Sequence, residues 1–432
     1  MATVETSTPV KPASDLRNYI VVTGAYWTDT LTDGAIRMLV LFYFYQLGYN
    51  AFAVASLFLF YEIFGVVTNL FGGYLGQRLG LKATLFLGLG TQLLALGMLA
   101  FAPQAWLVIP YVMLAQALSG IAKDLTKMSS KSAVKLVAGE TQGTLYKWVS
   151  ILTGSKNAIK GVGFFVGAVL LTTIGFQPAL MLFAGLTLAA LILAAVFIRG
   201  ELGVPKKGAK FQQMLSHNRA VNLLAAARLF LFGARDVWFV VGLPVFLSAV
   251  LGWSFWMSGG FLALWVIGYG VVQAMTPNIL RARLAEQREP DGRTATQLAF
   301  TLAAFPAGIA LALMANLSPA VVVVGGLLAF GGIFALNSAV HSFLILAYTD
   351  SDKVAMNVGF YYMANALGRL TGTVLSGLLY QIGLQYGVNG GLIACLWASV
   401  AFVLVAGGVS LLLPANTVPH SKPIQIGDGG EG

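Results

Sequence analysis

Gly73-Tyr-Leu-Gly-Gln-Arg-Leu-Gly-Leu-Lys82 is a short basic segment between two long apolar stretches, and it shows the pattern that decides the fold of the whole chain. An apolar stretch of about 20 residues is long enough to cross the hydrocarbon core of a bilayer as a helix. Basic residues between two such stretches are typical of a connection on the cytoplasmic side. The segment therefore predicts a helical hairpin in a membrane protein.

The same pattern recurs along all 432 residues, which are 58% hydrophobic and 10% charged, with a mean hydropathy of +0.80. In soluble domains about a quarter of all residues are charged. The sequence thus predicts an all-α integral membrane protein. Twelve transmembrane helices are expected, at residues 19–47, 52–75, 83–102, 106–128, 144–174, 178–198, 220–250, 254–279, 295–315, 319–347, 354–383 and 389–413.

Connections between these stretches alternate between basic and uncharged. No Lys, Arg, Asp or Glu occurs at 48–51, 103–105, 175–177, 251–253, 316–318 or 384–388, whereas the alternate connections contain Lys and Arg. The positive-inside rule then predicts a multi-pass protein of the inner (plasma) membrane with both termini in the cytoplasm. The net charge of +10 follows from this topology, so no nucleic-acid partner is predicted.

The predicted helices divide into two halves. We expect a cytoplasmic tail at 1–16, a six-helix bundle at 17–198, a basic linker at 199–219, a second six-helix bundle at 220–413 and a disordered tail at 414–432. Segment 73–82 resembles the loop signature of the major facilitator superfamily, Gly-x-Leu-Ala-Asp-Arg-x-Gly-Arg-Lys. The matching residues are Gly73, Leu75, Arg78, Gly80 and Lys82, and Gln77 replaces the acidic residue. The resemblance implies that family's fold of two six-helix bundles.

Thirteen of the charged residues inside the predicted spans are candidate site residues. Each would cost roughly 3 kcal/mol if it faced lipid alone, so they are expected to face one another or water. The bases are Arg37, Lys123, Lys127, Lys156, Lys160, Arg228, Arg235 and Arg369; the acids are Asp29, Asp33, Glu62, Asp124 and Asp236. We interpret the eight bases as candidate substrate-binding residues and the five acids as ion-pair or gating residues. Ion pairs that only fix the helix packing are the alternative.

Helical spacing predicts some local pairs. Asp33 and Arg37 are one turn apart, and Asp124 is three residues before Lys127, so each pair shares a helix face. Arg235 and Asp236 are sequence neighbours, which should point in different directions. Even with every acid paired, three cations remain, which indicates a carrier for a small molecule with several negative charges.

Position along the helices refines this prediction. Lys156 and Lys160 are one turn apart near mid-membrane and are expected to line a transport cavity. Arg37 and Arg235 are expected to face each other between the bundles, where such carriers hold substrate. Lys123, Lys127, Lys131 and Lys135 recur every fourth residue, but the last two are predicted to lie in a cytoplasmic loop.

Three segments resemble the organoarsenical efflux permeases called ArsJ: 115–135, around the four spaced lysines, 31–40 and 153–164. The resemblance implies export of 1-arseno-3-phosphoglycerate and, with it, arsenate resistance. It also implies functional pairing with a glyceraldehyde-3-phosphate dehydrogenase, which makes that compound from arsenate. Separate clusters of cations would suit an anion with two tetrahedral oxyanion ends.

Two other functions remain open on the sequence. An organophosphate/phosphate exchanger of the same superfamily would also use buried arginines, whereas a proton-coupled multidrug exporter is disfavoured by the net basic interior. No nucleophilic triad, phosphate-binding glycine loop or metal-ligand motif is found, and Cys395 is the single cysteine. We therefore predict no enzymatic activity, no metal and no cofactor.

Overall fold

The computed structural model describes residues 13–138, 142–198, 218–283, 290–349 and 354–414. The regular structure in these ranges is helical, as the long apolar runs predict. The α-helices are α1 (Ala13–Gln46), α2 (Ala51–Ser56), α3 (Leu59–Leu79), α4 (Leu81–Ala100), α5 (Ile109–Ala138), α6 (Gln142–Thr173), α7 (Phe176–Phe197), α8 (Arg219–Phe239), α9 (Gly242–Ala249), α10 (Phe255–Arg283), α11 (Gly292–Met314), α12 (Pro319–Ala347), α13 (Val354–Gly383) and α14 (Gly390–Ser410). Short 3-10 turns lie at Gln104–Trp106 and Leu384–Tyr386.

Within the residues that the structure describes, eight helical units are long and apolar enough to cross a membrane, with α2–α3 and α8–α9 each counted as one. The other long helices are α1, α5, α6 and α13, each of 30 residues or more. These four are the more polar ones because they carry most of the candidate charges. The fold class is therefore the predicted one: an all-helical membrane protein with α1–α7 and α8–α14 as its two halves.

Several helix ends differ from the sequence prediction. Helix α1 begins at Ala13, inside the predicted tail, and α5 continues to Ala138. Lys131 and Lys135 therefore belong to a helix and not to a loop. The predicted connection at 76–82 is also mostly helical, because α3 runs to Leu79 and α4 starts at Leu81. Hydropathy marks where a helix leaves the apolar layer, but the backbone hydrogen bonds continue past that point.

A single glycine makes the turn between α3 and α4. Gly80 has φ +79°, a conformation that glycine adopts without the steric penalty of a Cβ.

A second interruption divides the predicted seventh span into α8 and α9. There the hydroxyl of Ser376 on α13 accepts hydrogen bonds from the backbone N–H groups of Val241 and Gly242, at 3.2 and 3.0 Å. These bonds satisfy backbone donors that the break would leave unpaired.

The two halves pack together along α6 with α10, and along α2 and α3 with α13. Near the uncharged connections the contact is apolar: the rings of Phe42 and Phe255 stack with centroids 4.7 Å apart. Within the first half, α1 and α6 approach so closely that a Cβ on Gly163 would overlap the backbone of Leu31. Small residues permit such close helix packing in membranes. This approach places the charges of α1 beside those of α6.

Candidate functional site

A carboxylate shared by the two halves is the centre of the charged site. Glu62, in the first turn of α3, is 1% exposed and accepts hydrogen bonds at Oε1 from two guanidinium groups. Arg37 of α1 donates at 2.6 Å and Arg369 of α13 donates at 2.7 Å. Because Arg369 belongs to the second half, this ion pair joins the two bundles.

Arg369 extends the same network to a second acid. Its Nε lies 3.5 Å from Oδ2 of Asp236 on α8. The Oδ1 atom of Asp236 accepts from Nε of Arg235 at 2.6 Å. The prediction that Arg235 and Asp236 point in different directions was wrong, because the long arginine side chain reaches back to the carboxylate of its neighbour. Arg37 and Arg235 are thus linked through Glu62, Arg369 and Asp236.

Asp33 is also paired differently from the prediction. It is 2% exposed and accepts from Nζ of Lys160 on α6 at 2.8 Å and from the hydroxyl of Tyr61 at 2.5 Å. The predicted Asp33–Arg37 pair is not formed, because Arg37 turns towards Glu62. Close packing of α1 on α6 offers Asp33 a cation from another helix. Tyr61 is not among the predicted site residues, although its place directly before Glu62 in the sequence puts it near the candidate charges.

The predicted pair on α5 is present. Nζ of Lys127 lies 2.7 Å from Oδ1 of Asp124, at the three-residue spacing. Asn69 of α3 bonds both partners, donating to Asp124 at 3.1 Å and accepting from Lys127 at 2.8 Å. Thr68 adds a further donor to Asp124 at 3.1 Å. The pair therefore ties α5 to α3.

Asp29 and Lys123 differ from these pairs. Asp29 is 0% exposed, and its Oδ2 accepts from the hydroxyl of Thr126 at 2.6 Å, but in the described part of the chain no cation lies within ion-pair distance of it. Lys123 is half-buried on α5, with Nζ 4.1 Å from the ring centroid of Tyr61. It too has no carboxylate within ion-pair distance among the described residues, although Asp33 and Glu62 lie in its electrostatic reach.

Arg228 is the clearest buried cation without an acid. It is 5% exposed on α8, and its Nε donates to Oδ1 of Asn365 on α13 at 2.9 Å. Its Nη1 donates to the carbonyl and the hydroxyl of Ser338 on α12, both at 3.1 Å. The guanidinium carbon lies 3.9 Å from the ring centroid of Phe232 and 5.1 Å from that of Tyr361. In the described residues, only neutral groups hold Arg228.

The remaining predicted residues lie around this frame. Lys156 lies on α6, one turn before Lys160. Its side chain is half-buried and has an interaction partner. The amide of the adjacent Asn157 donates to Gln273 on α10 at 3.4 Å, which joins the two halves near Lys156. The side chains of Gln77, Lys131 and Lys135 lie outside the described residues.

The cluster offers little to a metal ion. Among the described residues, no group of three or more His, Cys, Asp or Glu side chains has an arrangement that could hold one. The buried carboxylates are instead occupied by Arg, Lys and hydroxyl donors. What the arrangement can do is bind anions at guanidinium and ammonium groups and exchange ion pairs when the two halves move.

Comparison with known proteins decides the family. Residues 22–373 match the model of the Major Facilitator Superfamily, which covers most of the chain. The chain belongs to the major facilitator superfamily. It is accordingly a membrane transporter, and its two halves are the two bundles of that fold.

Solved structures agree with this assignment of the fold. A mutant of the nucleoside transporter NupG superposes with a TM-score of 0.68 over 93% of this chain and 99% of the other, at 14% sequence identity. At this identity the superposition shows the fold alone and does not bear on the substrate. No curated protein matches the sequence of this facilitator.

Proposed function

We propose that this facilitator exports a multiply charged organic oxyanion by alternating access, and that the substrate is 1-arseno-3-phosphoglycerate, exported for arsenate resistance. The observation that carries the proposal is Arg228, a buried guanidinium held only by neutral groups in the described structure. A buried charge is costly unless it is paired. A substrate anion supplies the missing negative charge.

Lys123 supports a second point of attachment in the other bundle. Its ammonium group rests on the Tyr61 ring without contacting a carboxylate, in the part of the chain that the structure describes. One cation in each bundle suits an anion with two charged ends, because binding both ends would couple the ligand to the relative motion of the bundles. The arsenate and phosphate ends of the proposed substrate meet that requirement, and the resemblance of segments 31–40, 115–135 and 153–164 to ArsJ permeases supports its identity.

The membrane potential is sufficient to drive this export. A phosphate group carries about −1.5 to −2 charges near neutral pH, so a two-ended substrate carries about −3 to −4. Each charge gains about 2.3 kcal/mol per 100 mV on leaving a cell with a negative interior, or roughly 7 to 9 kcal/mol in total. We therefore propose a protein of the inner membrane with cytoplasmic termini, which binds substrate made inside by a partner glyceraldehyde-3-phosphate dehydrogenase.

The first test measures transport of a stable stand-in. Proteoliposomes loaded with labelled 3-phosphoglycerate should lose it when an inside-negative potential is imposed. We expect Arg228→Met to slow efflux at least about tenfold, the equivalent of one lost charge-assisted hydrogen bond. Arg219→Met is the matched control, because Arg219 is exposed at the first residue of the same helix. Equal efflux from both variants would contradict the proposal.

The same proteoliposomes separate the rival functions. Efflux that requires external phosphate or arsenate would identify an exchanger. Uptake of uridine, unaffected by Arg228→Met, would identify a carrier of neutral nucleosides like the one named for the solved structure. A second test grows cells that express this chain, the dehydrogenase partner, both proteins or neither. Arsenate tolerance that needs both proteins supports the arsenical substrate, and tolerance that needs neither excludes it.

A further inference from the structure

Two buried polar side chains of α12 have atoms without hydrogen-bond partners in the described structure. Asn337 is 0% exposed and both atoms of its amide are unpartnered. Nδ1 of His341 is unpartnered too, at 1% exposure. A buried polar group without a partner destabilises a fold, whereas a ligand that bonds it removes that cost.

Both residues lie on the segment of α12 that bonds Arg228, and the ring of Tyr361 packs near the same guanidinium group. Asn337 and His341 are one helical turn apart on α12, so they share a face. Ser338, between them in sequence, accepts two hydrogen bonds from Nη1 of Arg228. The ring of Tyr361 lies 5.1 Å from the same guanidinium group. Nη2 of Arg228 donates to no group of the described protein, since its hydrogen bonds use Nε and Nη1.

These groups offer a specific combination of hydrogen bonds. Nη2 of the Arg228 guanidinium group can donate a hydrogen bond to an anionic oxygen of a ligand. The amide of Asn337 has both donors and an acceptor, which is the complement of an alcohol, since a hydroxyl group both donates and accepts. A carbon chain with a hydroxyl next to an anionic group would satisfy both at once.

We propose that Asn337, His341 and Tyr361 form with Arg228 a subsite for a hydroxylated anion, in which Asn337 binds the hydroxyl. This inference rests on the proposed function and narrows its substrate class. The transporter should discriminate against anions of the same charge and length that lack the hydroxyl. Sites that hydrogen-bond a substrate group reject analogues without it because their own polar groups are left unpaired.

Binding of two compounds to the purified protein tests the subsite. The first is 3-phosphoglycerate, and the second is 3-phosphooxypropionate, which differs only by lacking the hydroxyl. We expect the wild-type protein to bind the first at least about tenfold more tightly, by titration calorimetry. Asn337→Leu, of similar size and without hydrogen-bonding atoms, should abolish this preference. It should also leave the melting temperature unchanged or raise it, because it removes an unsatisfied buried amide.

Gln92→Leu is the matched control. Gln92 is 0% exposed on α4 in the other bundle, and both of its amide atoms are likewise unpartnered. It should preserve the preference for the hydroxylated compound and also leave the melting temperature unchanged or higher. A preference that survives Asn337→Leu, or a large fall in melting temperature, would overturn the subsite while leaving anion transport standing. If the wild-type protein binds neither compound, the proposed function itself fails.

Discussion

Replacing Glu62 by Gln removes the one negative charge that two arginines of different bundles share. Arg37 and Arg369 donate to the same oxygen at 2.6 and 2.7 Å, and the glutamate side chain is 1% exposed. The variant keeps the size of the side chain but leaves two guanidinium groups facing a neutral amide. The contact of Arg369 with Asp236 at 3.5 Å would remain, but both residues belong to the second bundle, so this network would no longer join the two bundles.

The expected loss follows from the geometry. Opposite charges about 4 Å apart attract by about 4 kcal/mol at an effective dielectric constant near 20. Glu62 makes two such attractions, and without it Arg37 and Arg369 repel each other across the site. Removing one partner of a buried ion pair costs about 3–5 kcal/mol in measured cases. We expect Glu62→Gln to lower the free energy of unfolding by an amount in that range.

Unfolding in detergent, followed by tryptophan fluorescence during titration with SDS, measures this loss. Asp29→Asn is the matched control, because Asp29 is equally buried but contacts no cation among the described residues; its loss should stay below about 1 kcal/mol. A double-mutant cycle of Glu62→Gln with Arg369→Met should give an interaction energy of about 1–3 kcal/mol between the bundles. If Glu62→Gln and Asp29→Asn destabilise the protein equally, the reasoning about the shared carboxylate is refuted.

Two further predictions concern the contact of α1 with α6. Gly163→Ala places a methyl group against the backbone of α1, and the overpacking should lower the free energy of unfolding by about 1–3 kcal/mol. Gly185→Ala is the control, because Gly185 has open space around it. In the same SDS titration it should be neutral or slightly stabilising. Asp33→Asn leaves the ammonium group of Lys160, now 2.8 Å from the carboxylate, without its acid; we expect about 3–5 kcal/mol of destabilisation, and Asp33→Asn combined with Lys160→Met should recover part of it. No recovery in the double variant would show that the pair does not act as a unit.

Features that depend on local sequence were predictable. The twelve apolar runs indicate the helical class because hydrocarbon thickness fixes the length of a spanning helix. The Asp124–Lys127 pair follows from helical periodicity alone. The start of α1 and the end of α5 were missed because both lie in polar sequence beyond the apolar stretch. Hydropathy does not change at the terminal turn of such a helix, so it does not mark where the helix ends.

Pairing between helices was not predictable in the same way. Asp33 could take Arg37 on its own helix or a base from another, and spacing along one helix cannot rank those choices. The close approach of α1 and α6 at Gly163 supplies Lys160, which is 127 residues away in sequence. That pairing in turn leaves Arg37 for Glu62.

The sequence by itself determined that this protein is a twelve-span membrane protein with more bases than acids among the candidate residues of its spans. Only the tertiary structure decided which bases are neutralised: Glu62 receives Arg369 from 307 residues away, whereas Arg228 meets only neutral groups in the described chain. The physical reason is one of range. Hydropathy and periodicity depend on neighbours within a few turns, but a buried charge is stabilised by whatever group the helix packing brings within about 4 Å.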